Sequence, residues 1–123
     1  MTLTPPPSRP DRPFDPGCIF CRIIARQAPA KIRYESDDVI AFDDRRPQAP
    51  THVLICPKAH YPTFIDTPPD VLVQMNAQIK AVADVLGFLD RGFRLIVNNG
   101  PESGQIVYHL HYHFLAGRQM GGF

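Results

Sequence analysis

Apolar positions change their period along the chain, and each change marks an element. Ile19, Phe20, Ile23 and Ile24 recur at helical spacing within "CIFCRIIARQ", which predicts a short helix over 18–26, broken by "APAK". "IRYES" and "VIAFDD" are β-rich runs flanking the polar turn at Ser36 and Asp37, the signature of a hairpin. "RRPQAP" reads as a loop and "THVLICP" as a third strand. From Thr67 to Leu89 the period returns to helical. Leu72, Met75, Ile79, Val82, Leu86 and Leu89 step by three and four and form one core-facing stripe. Thr67 reads as the cap of this helix, with Pro68 in its first turn and Asp70 three residues after the cap. "FRLIVNN" predicts a fourth strand, "GPESGQ" a glycine-bounded loop, and "VYHLHYHFLA" at 107–116 a fifth strand. Strands and helices mix without strict alternation. The expected class is therefore α+β: a five-stranded antiparallel sheet with one long and one short helix.

The first 17 residues follow no such period. They carry six of the fourteen prolines and almost no aliphatic side chains. They read as a disordered or extended tail, because they bury too little to offset their ordering entropy. The remaining residues, 18–123, make one domain, consistent with a 123-residue chain.

Charge narrows the function. Thirteen Lys and Arg oppose twelve Asp and Glu, for a net charge of +1 and no basic stripe. That argues against a nucleic-acid polymer as partner and leaves a single nucleotide open. No apolar run approaches the ~18–20 residues of a membrane span, and the N-terminus lacks a signal-peptide pattern. The expectation is a soluble, cytoplasmic protein. Cys18, Cys21 and Cys56 are an odd count, which disfavours a disulfide framework.

Three of the five histidines lie in "HLHYHFL", at every second position. In a strand, Leu110, Tyr112 and Phe114 would face the core while His109, His111 and His113 share the other face. One histidine on a half-exposed strand needs no explanation; three in alternation do. One reading is a metal held by all three. Neighbouring imidazoles, about 6.5–7 Å apart at Cα, could chelate an ion, but the outer pair lies about 13 Å apart and would have to lean strongly. The other reading is nucleophilic catalysis by the middle ring, oriented and assisted by its neighbours. It singles out His111, the one flanked on both sides. Its attacking nitrogen must be unprotonated, which calls for an acceptor such as a backbone carbonyl on the other nitrogen. Imidazole attacks phosphorus or acyl carbon readily. The preceding "NNGPESGQ" favours phosphorus: Gly100 and Gly104 permit anion-binding backbone shapes, and Asn98 can donate an amide. It is not a Walker loop, since the Lys-Ser/Thr pair is absent.

"PQAPTHVLICPKAH" at 47–60 and "GQIVYHLHYHFLAGRQM" at 104–120 together resemble the histidine-triad (HIT) superfamily, specifically its Hint branch. The resemblance spans about residues 17–120. It implies two subunits joining five-stranded sheets into one ten-stranded sheet, hence a homodimer. It also implies hydrolysis of nucleoside 5′-phosphoramidates such as adenosine 5′-monophosphoramidate, through a nucleotidyl-histidine intermediate and with no cofactor for the chemistry. Carried over, His111 is the nucleophile and His113 contacts phosphate and leaving group. His109 and His52 support the histidine network. Asn98 and the backbone at Gly104 and Gln105 hold phosphate. Asp44 matches the carboxylate that accepts the ribose hydroxyls, and Ile19, Phe20, Ile23 and Phe42 match a purine slot. The chain departs from the branch at Ile106, where a serine is usual, at the charged Asp43 and Arg45 beside the slot, at the small Ala28, and in ending at "MGGF".

Cys18-x-x-Cys21 lacks a thioredoxin-like βαβ context, and a zinc site would need two further ligands. Several superfamily members supply them from the "PKxH" segment and the first triad histidine. By that resemblance Cys18, Cys21, His60 and His109 would hold a structural zinc ion that pins the first helix to the triad strand. The bland alternative is two free thiols at a helix start. Cys56, within a strand, reads as buried and inert. Besides phosphoramidate hydrolysis, three functions stay open: dinucleoside polyphosphate hydrolysis or nucleotidyl transfer by the same chemistry, non-catalytic nucleotide binding, and a zinc hydrolase.

Overall fold

The computed structural model describes residues 12–122. Its elements are α1 (Ile19–Ile24), β1 (Ile32–Glu35), β2 (Val39–Asp43), β3 (Thr51–Pro57), α2 (Pro69–Leu86), β4 (Arg94–Val97), a 3₁₀ turn (Pro101–Ser103) and β5 (Tyr112–Ala116). The five strands form one sheet in the order β1-β2-β3-β5-β4, with every pair antiparallel. This is the α+β architecture that the periodicity implies.

The sheet is covered on both faces, and the alternation within each strand sorts its side chains between them. Val39, Ala41, Val53, Ile55, Tyr112 and Phe114 pack with Met75 and Val82 of α2. Ile40, Phe42, Leu54 and Cys56 pack with Phe20 and Ile23 of α1. Double coverage explains why β2 and β3 read as nearly unbroken apolar runs. The β1–β2 hairpin turns where expected: the Ser36 hydroxyl accepts from the Val39 N–H at 3.1 Å.

Several boundaries differ from the sequence reading, each for a local reason. Thr67 does not cap α2; its hydroxyl donates to the Thr63 carbonyl, and Pro68 occupies the cap position. At the far end Gly87 adopts the left-handed conformation at φ 85° and stops the helix. Leu89 therefore falls off the stripe and is 48% exposed. The fifth strand starts at Tyr112 rather than at 107, because the Leu110 N–H leaves the sheet and bonds to the Tyr61 carbonyl at 2.7 Å. Leu110 still faces α2, so the alternation survives the irregular backbone.

Of the segment 1–17, residues 1–11 lie outside the described residues. Residues 12–17 are fastened to the domain. Arg12 pairs with Asp38 at 3.3 Å, the His60 N–H donates to the Pro13 carbonyl, and the Asp15 N–H points at Cys21 Sγ at 3.5 Å.

At the end of β5, Gly117 sits at φ 102°, and a Cβ there would meet Pro50 Cβ at 2.9 Å. Both the backbone and the space demand glycine. Gly117→Ala should cost about 1–3 kcal/mol, read as a lowered denaturant midpoint with an unchanged m-value.

Candidate active site

The α1-covered face of the sheet ends in a pocket of about 540 Å³. Ile19, Phe20 and Ile23 of α1 line one side, with Phe42 and Leu54 from the sheet. Asp44 lies just beyond β2, and Asn98, Gly104 and Gln105 come from the β4–β5 loop. His111 and His113 close the set. The pocket thus gathers all eight residues assigned to substrate binding by resemblance, together with two of the three triad rings. Sequence reasoning did not single out Pro29, Ala30, Lys31, Arg46, Leu54 or Val107, which also line it. Leu54 was accessible to period-2 logic, two residues on from His52; the others carry no local signal. Ala28 lines a neighbouring shallow depression with Ile32, not the pocket itself.

Hydrogen bonds fix the tautomers. His111 Nδ1 lies 2.7 Å from the His109 carbonyl, which can only accept. His111 therefore carries its proton on Nδ1, and Nε2 keeps a lone pair. A second chain begins outside the triad. The Gln48 N–H donates to His52 Nδ1 at 2.9 Å, leaving the His52 proton on Nε2. That proton is donated to His113 Nδ1 at 2.8 Å, so His113 carries N–H at Nε2. Asp44 Oδ2, 3.4 Å from His52 Nε2, adds a negative charge beside the pair. One unprotonated ring nitrogen and one N–H donor thus sit on adjacent rings whose centroids are 5.1 Å apart.

Burial keeps these rings neutral. It lowers the His111 pKa below the ordinary histidine value. For His113, burial and then the charges of His111 and His52 bring it to about 4. Burial lowers His52 as well. The Phe20 ring packs edge-on against His111 at 5.1 Å and helps to exclude water.

The His109 ring faces elsewhere. Its Nε2–H donates to the Pro57 carbonyl at 2.8 Å, which turns the Nδ1 lone pair toward Cys18, Cys21 and His60. Three of the four S···N distances in this cluster are 3.5, 3.4 and 3.6 Å, and the two Nδ1 atoms are 3.2 Å apart. A tetrahedron with Zn–S of about 2.3 Å and Zn–N of about 2.0–2.1 Å has edges of roughly 3.5 and 3.3 Å. The donor types and spacings fit a closed four-ligand site. Cys18 holds its thiol well below the usual range through its hydrogen bond with Cys21, and the same bond pushes Cys21 up.

The β4–β5 loop is tighter than the sequence implies. The Gly104 N–H donates to the Pro101 carbonyl at 3.1 Å and the Gln105 N–H to the Gly100 carbonyl at 3.4 Å. Both amides already have internal partners. The Gln105 side chain is used to brace the loop against Gly100, Pro62 and Val107.

Comparison with known proteins identifies the family and the fold. Residues 25–120 match the HIT domain family. A purine nucleoside phosphoramidase of Escherichia coli is 42% identical over 106 residues, covering 84% of this chain and 89% of that protein. A HIT-like protein of Synechocystis is 48% identical over 103 residues, covering 81% of this chain and 90% of the other. Among solved structures, a histidine triad protein from Clostridium difficile superposes with a TM-score of 0.85 at 42% identity, covering 89% of this chain and 97% of its own. A HIT family hydrolase from Legionella pneumophila gives 0.80 at 42%, covering 85% and 96%.

Proposed function

The chain belongs to the HIT domain family, and from that premise we propose that it hydrolyses the P–N bond of purine nucleoside 5′-phosphoramidates through a nucleotide carried on His111. The observation that carries the proposal is the tautomer of His111: a buried imidazole whose Nε2 lone pair is fixed by the 2.7 Å bond from Nδ1–H to the His109 carbonyl.

In the first step Nε2 attacks phosphorus and the P–N bond breaks. Its electron pair stays on the departing nitrogen, which takes a proton drawn from solvent and leaves as an amine. The imidazolium formed on His111 is stabilised by the bond to the His109 carbonyl. His113 Nε2–H donates to a phosphate oxygen, and the Asn98 amide supplies a second donor. In the second step water attacks phosphorus, the P–Nε2 bond breaks, and a proton returns to solvent. The nucleotide is released and the histidine regenerated. Asp44 accepts the ribose hydroxyls, and Ile19, Phe20, Ile23 and Phe42 clasp the base. The same geometry would serve dinucleoside polyphosphates or nucleotidyl transfer. The P–N substrate is favoured by the phosphoramidase relative at 42% identity.

Cys18, Cys21, His60 and His109 would hold zinc as a structural ion; with four protein ligands it has no open position for substrate. No helix of the described residues is long and apolar enough to cross a membrane. A cytoplasmic setting accords with three free cysteines. A homodimer accords with β4 at the sheet edge, where Leu95, Ile96 and Val97 are each about two-fifths exposed (40%, 39% and 40%).

The test is mass spectrometry of an acid-free quench with adenosine 5′-monophosphoramidate. A nucleotide mass on the peptide containing His111 supports the reading; turnover with no adduct there overturns it. The pH profile is a second check. His111 must be neutral to attack, and its pKa lies below the ordinary 6.5. The acid limb of kcat/KM should therefore fall below pH 6.5, with activity lost as pH drops through the folded value. An acid limb above pH 6.5 would mean that the buried ring is not the group whose deprotonation limits the rate.

A further inference from the structure

The cations that line the histidine pocket are gathered at one end of it. Lys31 precedes β1, and Arg45 and Arg46 follow β2. His111 and His113 belong to the β5 segment, with β3 between the two groups. The Asp43 N–H donates to the Lys31 carbonyl at 3.0 Å, which sets Lys31 beside the end of β2. The Arg46 N–H donates to Asp44 Oδ1 at 2.7 Å, an Asx turn that places both arginines directly after the carboxylate assigned to the ribose hydroxyls. Nearby arginines are matched: Arg12, Arg26 and Arg33 pair with Asp38, Glu35 and Asp43. Arg33 thereby neutralises Asp43, which also lines the pocket. The side chains of Lys31, Arg45 and Arg46 are exposed and have no ion-pair partner among the described residues. The pocket therefore carries an excess of positive charge beyond the ribose carboxylate.

We propose that Arg45 and Arg46, with Lys31, form a subsite for a second phosphate on the ribose, so that the preferred substrates are nucleoside 5′-phosphoramidates phosphorylated on O2′ or O3′. A guanidinium fork matches phosphate oxygens in pairs, and two forks with an ammonium suit a dianion. The reacting phosphorus is held at His111, across β3 from these cations, so the anion they fit is another one. Phosphorylating one ribose hydroxyl leaves its neighbour free to donate to Asp44. The proposal rests on the phosphoramidase reading and specifies its substrate class. The chemistry is unchanged: His111 Nε2 forms the bond to the 5′-phosphorus, the P–N electron pair leaves with the amine, and that nitrogen takes a proton from solvent. The second phosphate takes no part in making or breaking bonds, so its contacts are the same in the ground and transition states. They should lower KM and leave kcat as it is.

The experiment compares adenosine 5′-monophosphoramidate with its 2′- and 3′-phosphorylated forms. The native protein should favour at least one phosphorylated form about 10-fold in kcat/KM at low salt, nearly all of it in KM. The preference should shrink as ionic strength rises, since these charges are exposed. Arg45→Ser combined with Arg46→Ser should bring the ratio within about twofold. The corresponding pair of lysine substitutions should keep an intermediate ratio, because the charge remains and the fork is lost. Equal kcat/KM for all three substrates overturns the proposal, as does faster turnover of the unphosphorylated one. So does a preference that survives the double serine variant. Calorimetry measures binding separately, with adenosine 5′-monophosphate against adenosine 2′,5′- and 3′,5′-bisphosphate. If no substrate is turned over and no adduct forms, the phosphoramidase reading itself has failed. A bisphosphate that binds more tightly, and loses that advantage in the double serine variant, would still uphold the subsite; equal binding would overturn it.

Discussion

His111→Ala should lose at least ~10³-fold in kcat/KM, which is about 4 kcal/mol of transition-state stabilisation. No nearby group can replace it. His113 presents an N–H rather than a lone pair toward the pocket, because its Nδ1 is occupied by His52. His109 points its free nitrogen at the cysteines. The variant should still fold. Its cost is a small cavity beside Phe20 and one unsatisfied carbonyl, about 1–3 kcal/mol. His113→Ala should be milder, on the order of 10²-fold, since it removes a donor and not the bond-forming atom. Near-normal turnover by a folded His111→Ala protein would end the nucleophile assignment.

Removing metal should have the second largest effect, and on a different observable. A strong chelator should lower the melting temperature by about 10 °C or more, given that each kcal/mol shifts a domain of this size by several degrees. Below both transitions, kcat should change less than about threefold. Two bonds of the triad segment remain without the ion: the His109 ring to the Pro57 carbonyl and the Leu110 N–H to the Tyr61 carbonyl. If zinc instead restored turnover to a folded, inactive apoprotein, the metal would be catalytic. No change in melting temperature on chelation would leave Cys18 and Cys21 as plain thiols.

Periodicity alone revealed the sheet and both helices, because each strand and helix stripe carries its own burial pattern. It misplaced the ends. Thr67 has the chemistry of a cap, but its hydroxyl has a closer partner in Thr63. The triad segment alternates like a strand over its whole length, yet Tyr61 draws the backbone away before Tyr112. The identity of the candidate site residues was legible in the spacing of the histidines and the resemblance built on it. Their protonation was not. It depends on Gln48, Pro57 and the His109 carbonyl, main-chain groups whose positions only the folded chain supplies. Even the expected phosphate loop keeps two of its amides for itself.

Residue 109 has two outputs, a ring aimed at the cysteines and a carbonyl aimed at His111. Alanine scanning is blind to the second, because truncating the side chain leaves the main-chain oxygen in place. A mild phenotype at 109 would measure the anchor and say little about the orienting contact. Backbone ester substitution would also miss it, since an ester at the following position weakens that oxygen without removing it. The informative perturbation is on the other ring: blocking Nδ1 of residue 111 by methylation, which removes the donor and leaves residue 109 untouched.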